Sequence, residues 1–289
     1  GPARAAGAGV SDLRTLYRGL FDDAALFPPG NAPMGEAIPA HRAHRDSRRA
    51  PYVGPFLVAD ARLAELRTVL SRDDGDHGPL AVVVTVPGGA DGVPVAVEAV
   101  RSDPALRLAG VEVASPPGQA GRTAATVADA LGPGVDGYVE VARGADAAAD
   151  VAALAGTGAH AKFRTGGLTP EAHPDEVELA ALLGAAVTSG VPFKCTAGLH
   201  HAVRHTTVEG FEQHGFLNVL LATHTLLTGG DEAATAKVLA ERDGPALAAR
   251  AGGLTPDEAA RVRKHFRSFG TCSITEPLED LVVLGALHA

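Results

Sequence analysis

The sequence predicts an α/β chain folded as a single (β/α)8 barrel, and three observations carry that expectation. Apolar, strand-like stretches alternate with helical ones eight times, at intervals of about 25–30 residues. The 289 residues suit a barrel, which typically takes roughly 250. An eighth strand–helix pair closes the chain, where a doubly wound open sheet, the runner-up, would need none. No short solenoid repeat is present.

Taken in order, residues 11–20 (SDLRTLYRGL) read as a short amphipathic helix with an N-cap serine. DDAALFPPG follows as a short first strand ending at Pro28-Pro29, with a helix over residues 33–47. YVGPFLVAD (52–60) is the second strand and ARLAELRTVLSR its helix. PLAVVVTVPGG (79–89) is the clearest strand of the chain, followed by a helix at 93–101. LRLAGVEVASPPG (106–118) and VDGYVEVARG (135–144) are strands four and five, each with an alanine-rich helix behind it. AHAKFRTGG and VPFKCTAGLHH are strands six and seven, joined by the helical HPDEVELAALLGAAVTSG.

Beyond the seventh strand, apolar periodicity predicts a helix running through FEQHGFLNVLLATHTLL. Residues 231–267 read as an all-helical insertion, with TPDEAARVRKHF a well-capped helix at its end. SFGTCSI is the eighth strand and PLEDLVVLGAL the closing helix.

Composition bounds the function. A net charge of −9 and a pI near 5.7 argue against nucleic acid or an anionic membrane as partner. Two cysteines, Cys195 and Cys272, point to a reducing compartment without a disulfide framework. No apolar run approaches the roughly 20 residues needed to span a bilayer, no signal-peptide pattern appears, and Gly1-Pro2 reads as a tag remnant. The expectation is a soluble, cytoplasmic protein acting on a small molecule without a cofactor; a homo-oligomer stays open.

Strands six and seven carry the chemistry. Lys162 and Lys194 each sit inside an apolar run, where a lysine costs several kcal/mol unless paired or neutral. Side chains of barrel strands alternate inward and outward, and active sites form at the C-terminal strand ends. The period of two turns Glu112, Glu140 with Tyr138, His160 with Lys162 and Arg164, and Lys194 with Thr196 and Gly198 into one space. Phe193 and Cys195 then face the helices, and Cys272 alternates away from Thr271 and Ser273.

One reading of these groups is a buried ion-pair network, Glu112 with Lys194 and Glu140 with Arg164. The other is chemical. Two neighbouring lysines disfavour each other's protonation, which leaves one a neutral amine able to form an iminium with a carbonyl. A carboxylate then moves the protons, Glu112 first and Glu140 second.

AKFRTGG, PFKCTAGLHHAVR and GVEVASP resemble strands of the deoxyribose-phosphate aldolase family, class I aldolases with a (β/α)8 fold. That resemblance implies Lys162 as the Schiff-base lysine, Lys194 as the group lowering its pKa, and Glu112 where an aspartate is expected. FRSFGTCSITEPLEDLVVLGAL is similar to the family's last strand and helix, whose Gly/Ser turn helps bind phosphate. Arg164 departs from the family's small polar residue, and GLHH from its second phosphate clamp.

The expected function is therefore a cofactor-independent lyase of the aldolase type. Lys162, Lys194, Glu112 and Glu140 are its catalytic candidates, and Arg164, Thr196, Gly198, His200, His201 and Ser273 hold an anionic carbonyl substrate. The alternative is a proton-transfer isomerase, racemase, dehydratase or cyclase with a lysine base and an Arg164-anchored carboxylate, with or without a metal held by His200, His201, His205, Asp22 or Asp23. A non-catalytic barrel used for binding is the third reading. His214 and Asn218, at i and i+4, read as a cap and a packing contact.

Overall fold

The computed structural model describes residues 15–289. The first four residues of the expected helix at 11–20 therefore lie outside the described residues, as Gly1-Pro2 does altogether. Eight parallel strands close on themselves in the order β1 (Phe21–Asp23), β10 (Phe266–Thr271), β7 (Phe193–Thr196), β6 (His160–Arg164), β5 (Asp136–Glu140), β4 (Leu106–Ala114), β3 (Leu80–Val86) and β2 (Val53–Ala59). β1 pairs with β10 on one side and β2 on the other, so the sheet has no edge and the open doubly wound alternative is excluded.

The strands form where branched residues run together, as in LAVVVTV of β3, and stop at Gly/Pro punctuation such as the Pro116-Pro117 that follows β4. The apolar outer faces of the strands pack under the helices in two clusters. One spans β1, β5, β6, β7 and β10 (Phe21, Val139, Phe163, Phe193, Phe269 among its members). The other lies on β2 to β4 (Phe56, Val84, Val111, Val113). A third, small cluster of Ala24, Leu57 and Val83 lies apart from both; Ala24 and Leu57 face the cavity at the barrel mouth.

Two expectations shift after β7, and the helical insertion stands except for its last two residues. The helix expected through FEQHGFLNVLL covers only Phe216–Leu227, because the backbone is extended at Gly215, which is its N-cap and packs so closely that a Cβ there would stand 2.4 Å from the Ala202 carbonyl. The residues before it fold back instead as a hairpin, β8 (His205–Thr206) with β9 (Glu212–Gln213). Residues 231–267 form three short helices, Glu232–Ala240, Gly244–Gly252 and Pro256–His265, and the last runs directly into β10 at Phe266. That last helix has the expected cap: Glu258 N–H donates to Thr255 Oγ1 at 3.2 Å and Thr255 N–H to Glu258 Oε2 at 2.8 Å.

Among the described residues no helix is long and apolar enough to cross a membrane.

Candidate active site

The pairing register places the charged residues in a row. Glu140 on β5 is the partner of Lys162 on β6, and Lys162 of Lys194 on β7; Glu112 sits two residues deeper, beside Thr85 and Tyr138. Alternation then turns all four inward, while Phe193 and Cys195 join the outer apolar cluster as expected.

Lys194 is only 1% exposed. Its Nζ donates to Asp22 Oδ2 at 2.5 Å and to Glu112 Oε2 at 2.7 Å, and lies 5.2 Å from the centre of the Tyr138 ring. Ser268 Oγ donates to the same Asp22 oxygen at 2.7 Å. The Asp22 carboxylate fits because β2 carries Gly54 opposite it, where a Cβ would stand 2.2 Å from Asp22 Oδ1.

Glu112, at 2% exposure, is shared. Its other oxygen, Oε1, lies 2.8 Å from Lys162 Nζ, an ion pair off the carboxylate's hydrogen-bonding direction. Lys162 Nζ also lies 3.1 Å from Glu140 Oε1, and Arg164 Nη1 lies 3.4 Å from that same oxygen. The two lysine nitrogens are thus bridged by one carboxylate and held within about 8 Å of each other, two contacts plus two C–O bonds of about 1.2 Å.

Electrostatics divides these groups. Burial alone would lower the Lys194 pKa, but Asp22 and Glu112 outweigh it and hold the ammonium well above its ordinary value. Burial would raise Glu112, yet Lys162 and Lys194 together bring it down to about 2. Burial pushes Asp22 up in spite of Lys194. Lys194 is therefore a fixed cation and Glu112 a fixed anion. The expected mutual repulsion of two lysines is answered by carboxylates, which touch both nitrogens.

Above these groups opens a cavity of about 560 Å³ at the C-terminal ends of the strands. Lys162, Glu112, Glu140, Arg164, Thr196, Gly198 and His200 line it, while Lys194 lies beneath. Gly198 has φ +69° and packs against Gly166, where a Cβ would meet Gly166 Cα at 2.8 Å, so the loops leaving β6 and β7 touch.

His201 and Ser273 are not among the lining residues. His201 turns outward, its Nδ1 3.0 Å from Asp280 Oδ2, and that hydrogen bond raises its pKa. Ser273 Oγ accepts from Glu276 N–H at 3.2 Å at the start of helix Thr275–Val283. The three loop histidines do not meet at one point: the His201 and His205 rings stand edge to face with centroids 4.9 Å apart, while His200 faces Cys272 Sγ at 3.7 Å. Asp23 instead pairs with His41 at 2.9 Å, behind the sheet. Among the described residues no group of three or more His, Cys, Asp or Glu is placed to hold a metal. His214 and Asn218 both make buried contacts: His214 Nε2 meets the Pro174 carbonyl at 2.7 Å, and Asn218 Nδ2 donates to the Val238 and Glu241 carbonyls, while the N-cap of the helix Phe216–Leu227 is Gly215, without a side-chain cap.

Sequence reasoning left Asp22 undecided and missed Ser268; both depend on the closure of β1 onto β10, which no local pattern announces. It also turned Cys272 away, but β10 ends at Thr271, and beyond the strand alternation no longer applies. The hairpin residues Glu209, Phe211 and Gln213, which cover the cavity, lay inside or beside an expected helix.

No family model matches the chain, and neither does any curated protein. Similar solved structures include the carboxyl transferase domain of Rhizobium etli pyruvate carboxylase with oxamate and biotin (TM-score 0.45, 12% identity, 97% of this chain and 56% of that one). The same domain with pyruvate and biocytin gives TM-score 0.45, 12% identity, and 96% and 54% coverage. The complete multifunctional enzyme gives TM-score 0.28, 11% identity, and 95% and 31% coverage. The chain spans little more than half the length of the first two and under a third of the last.

Proposed function

We propose that the chain is a lyase of the class I aldolase kind, acting through an imine on Lys162. The observation that carries this reading is the placement of Lys162 Nζ at the cavity floor, between two carboxylates, with a second and permanently charged lysine behind it.

Lys162 Nζ passes its ammonium proton to Glu140 and attacks the substrate carbonyl carbon as the free amine, and the C=O π electrons move to oxygen. Proton transfers to that oxygen expel water and leave a protonated imine. In the cleavage direction a base takes the proton of the β-hydroxyl, the hydroxyl carbon becomes a carbonyl, and the Cα–Cβ pair flows into the iminium to give an enamine. Each step needs a group that gains and loses protons at the cavity surface. Glu112, clamped by two ammonium groups and held at about 2, is unsuited to it. Glu140 touches Lys162 from the cavity side and fits. The order of preference between the two glutamates is thus reversed: Glu140 shuttles protons, and Glu112 is the counter-ion shared by Lys194 and Lys162.

Borohydride with a panel of aldehydes and ketones should leave a reduced adduct on Lys162, seen by peptide mass mapping, and none after Lys162→Met. A panel that leaves Lys162 unmodified sinks the imine.

The contact of Lys162 with two carboxylates favours a second reading, in which it works as a proton donor and acceptor beside an Arg164-bound carboxylate. Deuterium entering a substrate from solvent, with no borohydride adduct, is its signature.

A further inference from the structure

We infer that the ligand of this cavity is a 2-oxo or 3-oxo carboxylate with an apolar, preferably aromatic, substituent, and not a phosphate ester. The inference rests on the imine reading only for the carbonyl; the carboxylate and the apolar group follow from the walls.

The first argument is charge. Three carboxylates line the cavity, Glu112, Glu140 and Glu209, against two cations, Lys162 and Arg164. Lys162 is already matched by Glu112 and Glu140. Arg164 is about half exposed and contacts one oxygen of Glu140 through one of its five N–H donors. The site thus has one cation with donors to give, arranged as the planar fork that suits a carboxylate. A phosphate dianion would add two charges where acids already outnumber bases.

The second argument is distance. Lys162 Nζ and Arg164 Nη1 touch the same Glu140 oxygen at 3.1 and 3.4 Å, so they lie no more than 6.5 Å apart. A carboxylate on the guanidinium and a carbonyl carbon about 3 Å from the amine then sit on adjacent or next-adjacent carbons.

The third argument is the opposite wall. Phe27, Pro28, Pro29 and Leu57, from the β1 and β2 side, face Phe211 and Leu168, from the hairpin and the β6 loop, across the same cavity. Hydroxyl groups of a sugar chain would meet few partners there and lose their hydration. A ring or branched chain gains by burial, and 560 Å³ lies within the range of small-molecule sites, about 300–1,000 Å³.

The test uses probes without a carbonyl first. By isothermal titration, 3-phenylpropanoate should bind at least tenfold more tightly than phenyl phosphate or acetate. Arg164→Gln should weaken 3-phenylpropanoate at least tenfold, and Phe211→Ser should weaken it several-fold while leaving acetate unchanged. Equal or tighter binding of phenyl phosphate, indifference to Arg164→Gln, or no binding of 3-phenylpropanoate each overturns the assignment. A second arm adds 3-phenyl-2-oxopropanoate with borohydride. An adduct on Lys162 supports carbonyl and ligand class together. Binding without an adduct overturns the imine and leaves the carboxylate and apolar assignments standing.

Discussion

Glu112 and Glu140 differ by little in sequence, each an acid in a valine-rich strand, yet their surroundings give them opposite duties. Glu140→Gln removes a group at the cavity surface, so its stability cost should stay near 1 kcal/mol or below, while imine formation slows by roughly 10²-fold or more. Glu112→Gln leaves two buried ammonium groups facing a neutral amide and should cost about 3–5 kcal/mol. Thermal melts beside borohydride trapping rates separate the two, and equal melting temperatures for both variants would contradict the division. The sequence showed that both acids point inward, because alternation along a strand needs only the strand. Which lysine each acid touches depends on the stagger between strands, and that is a property of the closed sheet.

At the scale of the element, β2 and the helix Pro256–His265 can each be tested by one substitution. Gly54→Ala drives a methyl group against the Asp22 carboxylate. It should destabilise by about 1–3 kcal/mol, as over-packing does, and weaken trapping at Lys162 by disturbing Asp22 and Lys194 behind it. Urea unfolding gives the first number and mass mapping the second. Thr255→Ala removes one half of a reciprocal cap and should cost about 1 kcal/mol without touching the adduct yield. The cap was legible because its signature is local, a threonine three residues before a glutamate. The hairpin β8–β9 was not: an apolar stretch after a loop reads as helix until one knows that Gly215 lies against the Ala202 carbonyl. Gly54 was equally silent, since its purpose is set by a residue on another strand.

For the whole molecule, the buried charges tie stability to pH at both ends. Glu112 is depressed from an ordinary 4.5 to about 2, so its contribution is complete above pH 4.5 and drains away as pH falls toward 2. Lys194 is raised above 10.5, so its contribution is complete below that pH and is lost as pH climbs through the folded value. Asp22, held up by burial, titrates with the opposite sign to Glu112. Glu112→Gln isolates the glutamate: urea midpoints measured from pH 6 to pH 3 should fall less steeply in the variant than in the natural chain. The barrel itself was legible because eight alternations leave few other topologies; the order of its closure and the depth of each charge were not, since both arise only when the two ends of the chain meet.

The outer apolar packing comes in two blocks, one behind β3, β4 and most of β2, the other behind the remaining strands and Val53 at the start of β2. Glu112 belongs to a strand of the first block, while both cations it binds belong to strands of the second. It works as a clasp between two half-shells. Strong acid, by neutralising that clasp and leaving the strand pairs β1–β2 and β4–β5 to join the halves, should loosen one half-shell before the other, so that calorimetry near pH 2 gives a broader heat-absorption peak than neutral buffer.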